Sequence, residues 1–419
     1  MMKRAILIST LSVASLACAM LPNNPQPFDG VGRLGDPSGG TITTSGSGVA
    51  ISPNWVLTAA HVGGSRFEQN GQIYTVVQTI THPTADIALK RVVGPVQSAL
   101  PMKFNVFSGA VPTVQTNLPG TVMTLAGYGI TGSATATGYT YDDGTQGTRR
   151  VGRNAMDLFI PNVPVDLGGG NIRTSNYIFY DLDDPAGVSP VNILGGPRVG
   201  TDEGGMSVFD SGCPWTVQEN NRYRVVGIGG IVGTFSGTGV TRPYNWGGFG
   251  GAALLQSYQS WIQSTATDIG RAIIDAATFE IGGPLGGTIT NIAESDNVYF
   301  STRTNTAAFD SDTQLGFFVY GKTTADPGGT LRITLEGRSV ARQSEVIFRM
   351  RNWVTNQYVQ VGSGKMGKTD TTTIINGISG TNFINTDGRV ELQIRVNPLT
   401  DDMRLYDAFF DVIRVDALP

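Results

Sequence analysis

The chain has 419 residues, a formal net charge of −4, 15% charged residues and 56 glycines. That length allows two domains, and so mild an acidic balance argues against nucleic acid or an anionic membrane as the main partner. Abundant Gly, with Thr, Ser and Asn spaced between short apolar runs, is the texture of an all-β protein rich in turns.

Met1-Met2-Lys3-Arg4 followed by the apolar stretch 5–16 reads as a secretory signal, with a basic start and a run too short to span as a mature helix. Ala17-Cys18-Ala19 is an A-x-A cleavage site, giving residues 1–19 as signal peptide and Met20 as the mature start. Acylation of Cys18, a cell-envelope lipoprotein, is the alternative, and Ser15 fits that pattern poorly. The expected location is secreted, and no later segment is long and apolar enough to span a membrane. With Cys18 removed, Cys213 has no partner, so the fold is expected to stand without disulfides.

Residues 20–45 read as a Pro- and Gly-rich lead-in, and strands are expected over 46–51, 55–58, 73–80 and 87–92. The run Leu57-Thr58-Ala59-Ala60-His61 places one of only two histidines in a small-residue turn directly after an apolar strand. The other, His82, reads as a surface loop residue. Asp86 opens Asp86-Ile87-Ala88-Leu89, a strand start that buries its carboxylate. A buried carboxylate needs a partner, and an imidazole N–H supplies one. Residues 130–150 read as a polar flexible loop ending in Arg149-Arg150. The acidic run Tyr180-Asp181-Leu182-Asp183-Asp184 has oxygens suited to Ca²⁺ but reads as a solvated loop; no metal or cofactor is expected.

Two segments compete for a nucleophile. Thr201-Asp202-Glu203-Gly204-Gly205-Met206 resembles a serine motif with Glu203 in the serine's place. Phe209-Asp210-Ser211-Gly212-Cys213-Pro214 fits better, because it keeps Asp-Ser-Gly and the following Pro and leads through a hairpin to Arg224–Ile231. Cys213 reads as a small buried residue. Residues 252–262 have helical spacing of apolar side chains. A linker over 266–271 then leads to a second all-β domain, 272–419, whose alternating runs (331–335, 345–350, 390–396, 409–415) suggest about eight strands of a β-sandwich. Asn352-Trp353 and Tyr358 would make a sugar platform if exposed, though aromatics in such strands more often face the core.

The order His61…Asp86…Ser211, each in its local context, resembles the trypsin/chymotrypsin-like serine endopeptidases, and more closely their compact secreted bacterial members. The resemblance covers roughly residues 30–265. It implies a chymotrypsin-like double β-barrel closed by a C-terminal helix, with Val122–Gly129 opening the second barrel. It also implies peptide-bond hydrolysis through an acyl-enzyme, with protein or peptide substrates and a further partner, an extracellular polymer or surface, left to 272–419. Ser211 would be the nucleophile, His61 the base and Asp86 its orienting partner. The backbone N–H groups of Phe209 and Ser211 would form the oxyanion hole, and Gly205, Met206, Gly229 and Gly230 the substrate pocket. Gly205, six residues before Ser211, carries no charge, so strict Arg/Lys cleavage is not expected. Gly30-Val31-Gly32-Arg33 matches the family's freed N-terminus poorly, so Asp210 is expected to be satisfied from within the chain. The family has Gly where this chain has Phe209, which would either strain the loop or turn the N–H away. The competing reading is therefore a weak or inert pseudoprotease acting as an extracellular binding protein.

Overall fold

The computed structural model describes residues 11–12, 28–184, 186–189, 191–293, 296–303, 315–340, 343–399 and 407–418. Of the expected signal peptide only Leu11 and Ser12 are described, paired in parallel with Val165 and Asp166; the expected cleavage site, Met20 and the residues from 13 to 27 lie outside the described part. The protein is all-β. Its chain divides into two compact units, Met1–Thr267 and Asp268–Pro419.

Six strands open the first unit: β1 (Val31–Ser38), β2 (Thr41–Ala50), β3 (Trp55–Thr58), β4 (Arg66–Gln69), β5 (Gln72–Thr81) and β6 (Ala88–Val92). They close into a barrel in the order β1-β2-β3-β6-β5-β4. The lead-in therefore contains a strand of its own. Gly39 and Gly40, at φ +54° and +87°, turn β1 back along β2, a conformation open to Gly and costly for other residues. Val31, Leu34, Val49, Leu57, Phe67 and Leu89 are fully buried, each stabilising the fold by about 1.5–3 kcal/mol.

The second ladder comprises β7 (Thr116–Gly127), β8 (Arg150–Asp166), β9 (Ile172–Asp181), β10 (Pro214–Glu219), β11 (Arg222–Thr234) and β12 (Gly248–Leu254). Its order is β8-β9-β12-β11-β10-β7, and β7 also pairs with β8, so the ladder returns to its start. Met123, Leu125, Phe159, Tyr180, Trp215 and Leu254 belong to one buried cluster. The stretch 130–150 is more ordered than its composition suggests. It folds a small hairpin, Ala134–Thr135 with Gly138–Tyr139, whose Tyr139 packs edge-on to Trp246 at 4.9 Å. The predicted helix is displaced towards the C-terminus. Ala252, Ala253 and Leu254 are strand, paired with Tyr177, Ile178 and Gly227–Gly229; a 3-10 turn over Leu255–Tyr258 leads into α1, Gln259–Thr265. Small residues let three strands pack closely there, and that tertiary demand overrides the helical spacing.

The second unit holds two five-stranded antiparallel sheets around one core. The first, in the order β13-β16-β21-β18-β19, contains β13 (Ile273–Ile281), β16 (Leu315–Lys322), β18 (Ser344–Asn352), β19 (Gln357–Met366) and β21 (Arg389–Pro398). The other, β14-β15-β22-β17-β20, contains β14 (Gly283–Gly286), β15 (Phe300–Arg303), β17 (Thr330–Ser339), β20 (Thr371–Ser379) and β22 (Asp407–Leu418). Phe317, Phe348, Phe410, Leu392 and Ile394 meet between them. Trp353 and Tyr358 lie outside that core, half-buried. Residues 270–272 are knitted into this unit rather than forming a free linker: Gly270 accepts from Ala417 N–H and Thr323 Oγ1, and Ala272 N–H donates to Val415. Among the described residues, no helix is long and apolar enough to cross a membrane.

Candidate active site

β3 ends at Thr58, and the small-residue turn after it delivers His61. Asp86, just before β6, is fully buried. Its carboxylate takes both His61 groups within reach: Nδ1 lies 2.8 Å from Oδ2, and the His61 backbone N–H donates to Oδ1 at 3.2 Å. The two contacts fix position and ring orientation together. With Nδ1–H directed at Asp86, Nε2 is left as the ring's free base. Asp86 is itself held by its N–H, which donates to Ser175 Oγ at 2.9 Å. Gly230 packs so closely beside it that a Cβ there would lie 2.9 Å from Asp86 Oδ2.

Ser211 lies in the loop leading into β10. Its carbonyl accepts from Ser47 N–H at 2.8 Å. Gly212, at φ +85°, presses on the strands that flank His61; a Cβ there would come within 2.1 Å of both Ser47 O and Thr58 Oγ1. On the other side, Gly46 has no room for a side chain between Val62 and Ser211 O. The serine's backbone is thus hydrogen-bonded to Ser47 on β2, and the neighbouring Gly212 lies tight against Ser47 and Thr58. These contacts join the first barrel to the second ladder, because Gly212 N–H also donates to Gly229 O at 2.7 Å.

The loop before the serine holds Phe209 in an unusual backbone conformation. Phe209 has φ +70° and is the only described non-Gly residue other than Asn with a left-handed backbone. Asp210 N–H returns to Ser207 O at 3.0 Å, so Phe209 is the third residue of a turn that ordinarily takes Gly there. The Val208 carbonyl is pinned by Ile130 N–H at 3.1 Å and Ser207 Oγ at 2.9 Å. In a trans peptide the next N–H points the opposite way, so the Phe209 N–H faces away from Ile130. Among the described residues neither that N–H nor the one of Ser211 has a protein acceptor. Of the two expected outcomes, strain is observed, and the donor is left open.

Asp210 is buried and satisfied internally. It accepts from Gly129 N–H and Ser207 N–H, both at 2.7 Å. Burial still pushes its carboxyl up to about 7, against the pull of these N–H groups and of Arg150. Cys213 is fully buried, and burial pushes its thiol well up, so it remains a neutral core group. His82 uses Nδ1 to accept from Ala85 N–H at 3.0 Å and stacks edge-on to Tyr258 and Trp261.

The four residues expected to form the substrate pocket pack closely against their neighbours. Met206 is buried, with its side chain against Gly229 and its Sδ 3.3 Å from Trp215 Nε1. Gly205 abuts Tyr180 Oη and Leu182, and Gly230 abuts Asp86. Gly205, Gly229 and Gly230 are small where neighbouring side chains approach closely, and Met206 fills the space beside Gly229. Asp202 pairs with Arg153 at 3.5 Å. Glu203 is enclosed, accepting from Val199 N–H at 2.9 Å. It belongs to a buried carboxyl group set with Asp157, Asp181 and Asp183. Burial, together with neighbouring carboxylates, pushes Asp157 and Glu203 to about 8 and Asp183 to about 7. The acidic run is therefore interior rather than solvated, and among the described residues no three such groups are placed to hold a metal ion.

Ser47 escaped the sequence reading. Its Oγ donates to Phe209 O at 3.1 Å and accepts from Tyr128 N–H at 3.0 Å. The available signal was Ser45-Gly46-Ser47-Gly48, an alternation of very small residues within β2. No protein-family model and no curated protein sequence matches this chain.

Proposed function

We propose that the first unit is a secreted serine endopeptidase of the chymotrypsin-like double-barrel kind, its second ladder serving as the second barrel. The observation that carries this reading is the double grip of buried Asp86 on His61, with the Ser211 carbonyl bonded to Ser47 on β2, the strand paired with β3. His61 Nε2 takes the Ser211 hydroxyl proton as Oγ attacks the scissile carbonyl. Asp86 holds the tautomer and stabilises the imidazolium. The open N–H groups of Phe209 and Ser211 receive the oxyanion, a contribution of about 3–4 kcal/mol per donor in comparable sites. His61 then protonates the leaving amine, and water resolves the acyl-enzyme by the reverse sequence.

Neither Asp202, drawn to Arg153, nor Glu203, enclosed by its own loop, is free to select a basic side chain. A peptide-library profile is expected to lack Arg/Lys dominance, and a profile dominated by those residues would contradict the placement. The mechanism itself is tested by Asp86→Asn. With wrong-tautomer His61, kcat on a peptide or ester substrate is expected to fall about 10⁴-fold at unchanged folding. Retention of activity within tenfold would remove Asp86 from the mechanism.

A further inference from the structure

Strand alternation in the second unit sends Phe317, Val319, Phe348, Met350, Leu392 and Ile394 into the core. The residues between them face outward, and register sets them in rows. Phe318, Gln393, Arg349 and Gln360 are mutually opposite across β16, β21, β18 and β19. Two residues along, Tyr320, Glu391, Arg351 and Tyr358 form the next row on the same face. The rings lean together. Phe318 lies 5.1 Å from Tyr358 and 6.4 Å from Tyr320, nearly parallel to the latter at 28°. Their hydroxyls are fixed: Tyr358 Oη donates to Glu391 at 2.9 Å, and Tyr320 Oη is 3.0 Å from Thr278 Oγ1.

Charge on this face is unevenly spent. Glu391 is taken by Arg351, Glu280 by Arg395 and Asp275 by Arg389. Arg349, half-buried in the middle of its row, has no carboxylate partner among the described residues. A guanidinium offers five donors in a planar fork suited to a carboxylate. Here two amides, Gln393 and Gln360, flank it, and a patch of three rings stands alongside.

We propose that this face binds an acidic polysaccharide, with sugar rings lying on Phe318, Tyr320 and Tyr358 and a uronate carboxylate taken by Arg349. Rings fixed in place offer broad contact at little entropic cost, and the apolar C–H faces of pyranoses are the surfaces that stack on them. Gln360, exposed on the edge strand, is placed for a hydroxyl, whereas Gln393 is buried and donates to Glu280 at 2.6 Å. A row four strands wide spans about 14 Å, room for an oligosaccharide lying across the sheet. A protein partner would instead call for a larger continuous apolar surface than this alternation of rings and paired charges provides.

The test is affinity electrophoresis and calorimetry on the full chain with polygalacturonate, alginate and hyaluronate, beside fully methyl-esterified polygalacturonate as the neutral counterpart. At least one acidic polymer should retard the protein. Arg349→Gln should weaken that binding roughly tenfold or more, as expected for loss of a charged hydrogen-bonding pair. For a uronate polymer the neutral ester should bind comparably less, and Phe318→Ala should weaken both. Absence of binding to all three acidic polymers overturns the proposal. So does retardation that persists unchanged in folded Arg349→Gln, or equal binding to the acid and its ester. If Phe318→Ala does not fold, the surface variant Arg349→Gln decides alone.

Discussion

Phe209 concentrates the strain of the active-site loop. A bulky residue at φ +70° costs on the order of 1–3 kcal/mol, and the pinned Val208 carbonyl holds it there. Phe209→Gly should therefore raise stability by about 1 kcal/mol, after the entropy that Gly adds to the unfolded chain. Because the N–H has no protein acceptor and points away from Ile130, kcat on a small ester should stay within about twofold. A rise of 10² or more would mean that the donor is turned away in the resting protein. Ser47→Ala, at a fully buried position, strands the buried Tyr128 N–H and frees Phe209 O, at a cost of about 1–3 kcal/mol in thermal unfolding. His61, Asp86 and Ser211 stood out in the sequence because each sits in a short, distinctive local context. Ser47, Ser175 and Val208 did not, since they act through bonds to residues distant in the chain. The aromatic pair Trp353 and Tyr358 was misjudged because alternation gives the period of a strand but not which face is buried.

Between elements, the contact that matters most is Gly212 against β2 and β3. Gly212→Ala meets a left-handed backbone and two oxygens at 2.1 Å. It should destabilise the first unit by about 3 kcal/mol or more and abolish activity, where Gly39→Ala, with open space around it, should cost only its backbone strain of about 1 kcal/mol. The buried carboxyls around residues 181–203 give pH a sign. Their folded-state values lie above the ordinary carboxyl range, so the folded state holds protons that the unfolded chain gives up. Stability is fully present below about pH 4, as far as these groups decide it, and is lost as pH rises through about 7 to 8. Asp157→Asn or Glu203→Gln should flatten the fall in unfolding midpoint between pH 5 and 8.5; an unchanged slope would assign it elsewhere. At this scale the regular strands were legible from their alternation. β1, β19 and β20 were not, because Gly, Thr and Pro interrupt their alternation of apolar and polar residues, and 252–254 read as helix because alanines suit close strand packing equally well.

At the scale of the whole molecule, two units divide near residue 267, and the proposed peptidase chemistry lies in the first alone. Asp210, before the proposed nucleophile, is already bonded to Gly129 and Ser207, so a freed N-terminal amine is not needed to order the loop. A chain with extra residues fused at Met20 should remain active, and activity appearing only after cleavage at Val31 would contradict this. The central claim is that Ser211 is an activated nucleophile, and labelling with a fluorophosphonate probe followed by intact and peptide mass measurement tests it most directly. One probe adduct on Ser211 is predicted, retained in Cys213→Ala and absent from folded Ser211→Ala and His61→Ala. An unlabelled wild-type chain, or a Ser211→Ala variant labelled as strongly as wild type, would contradict it.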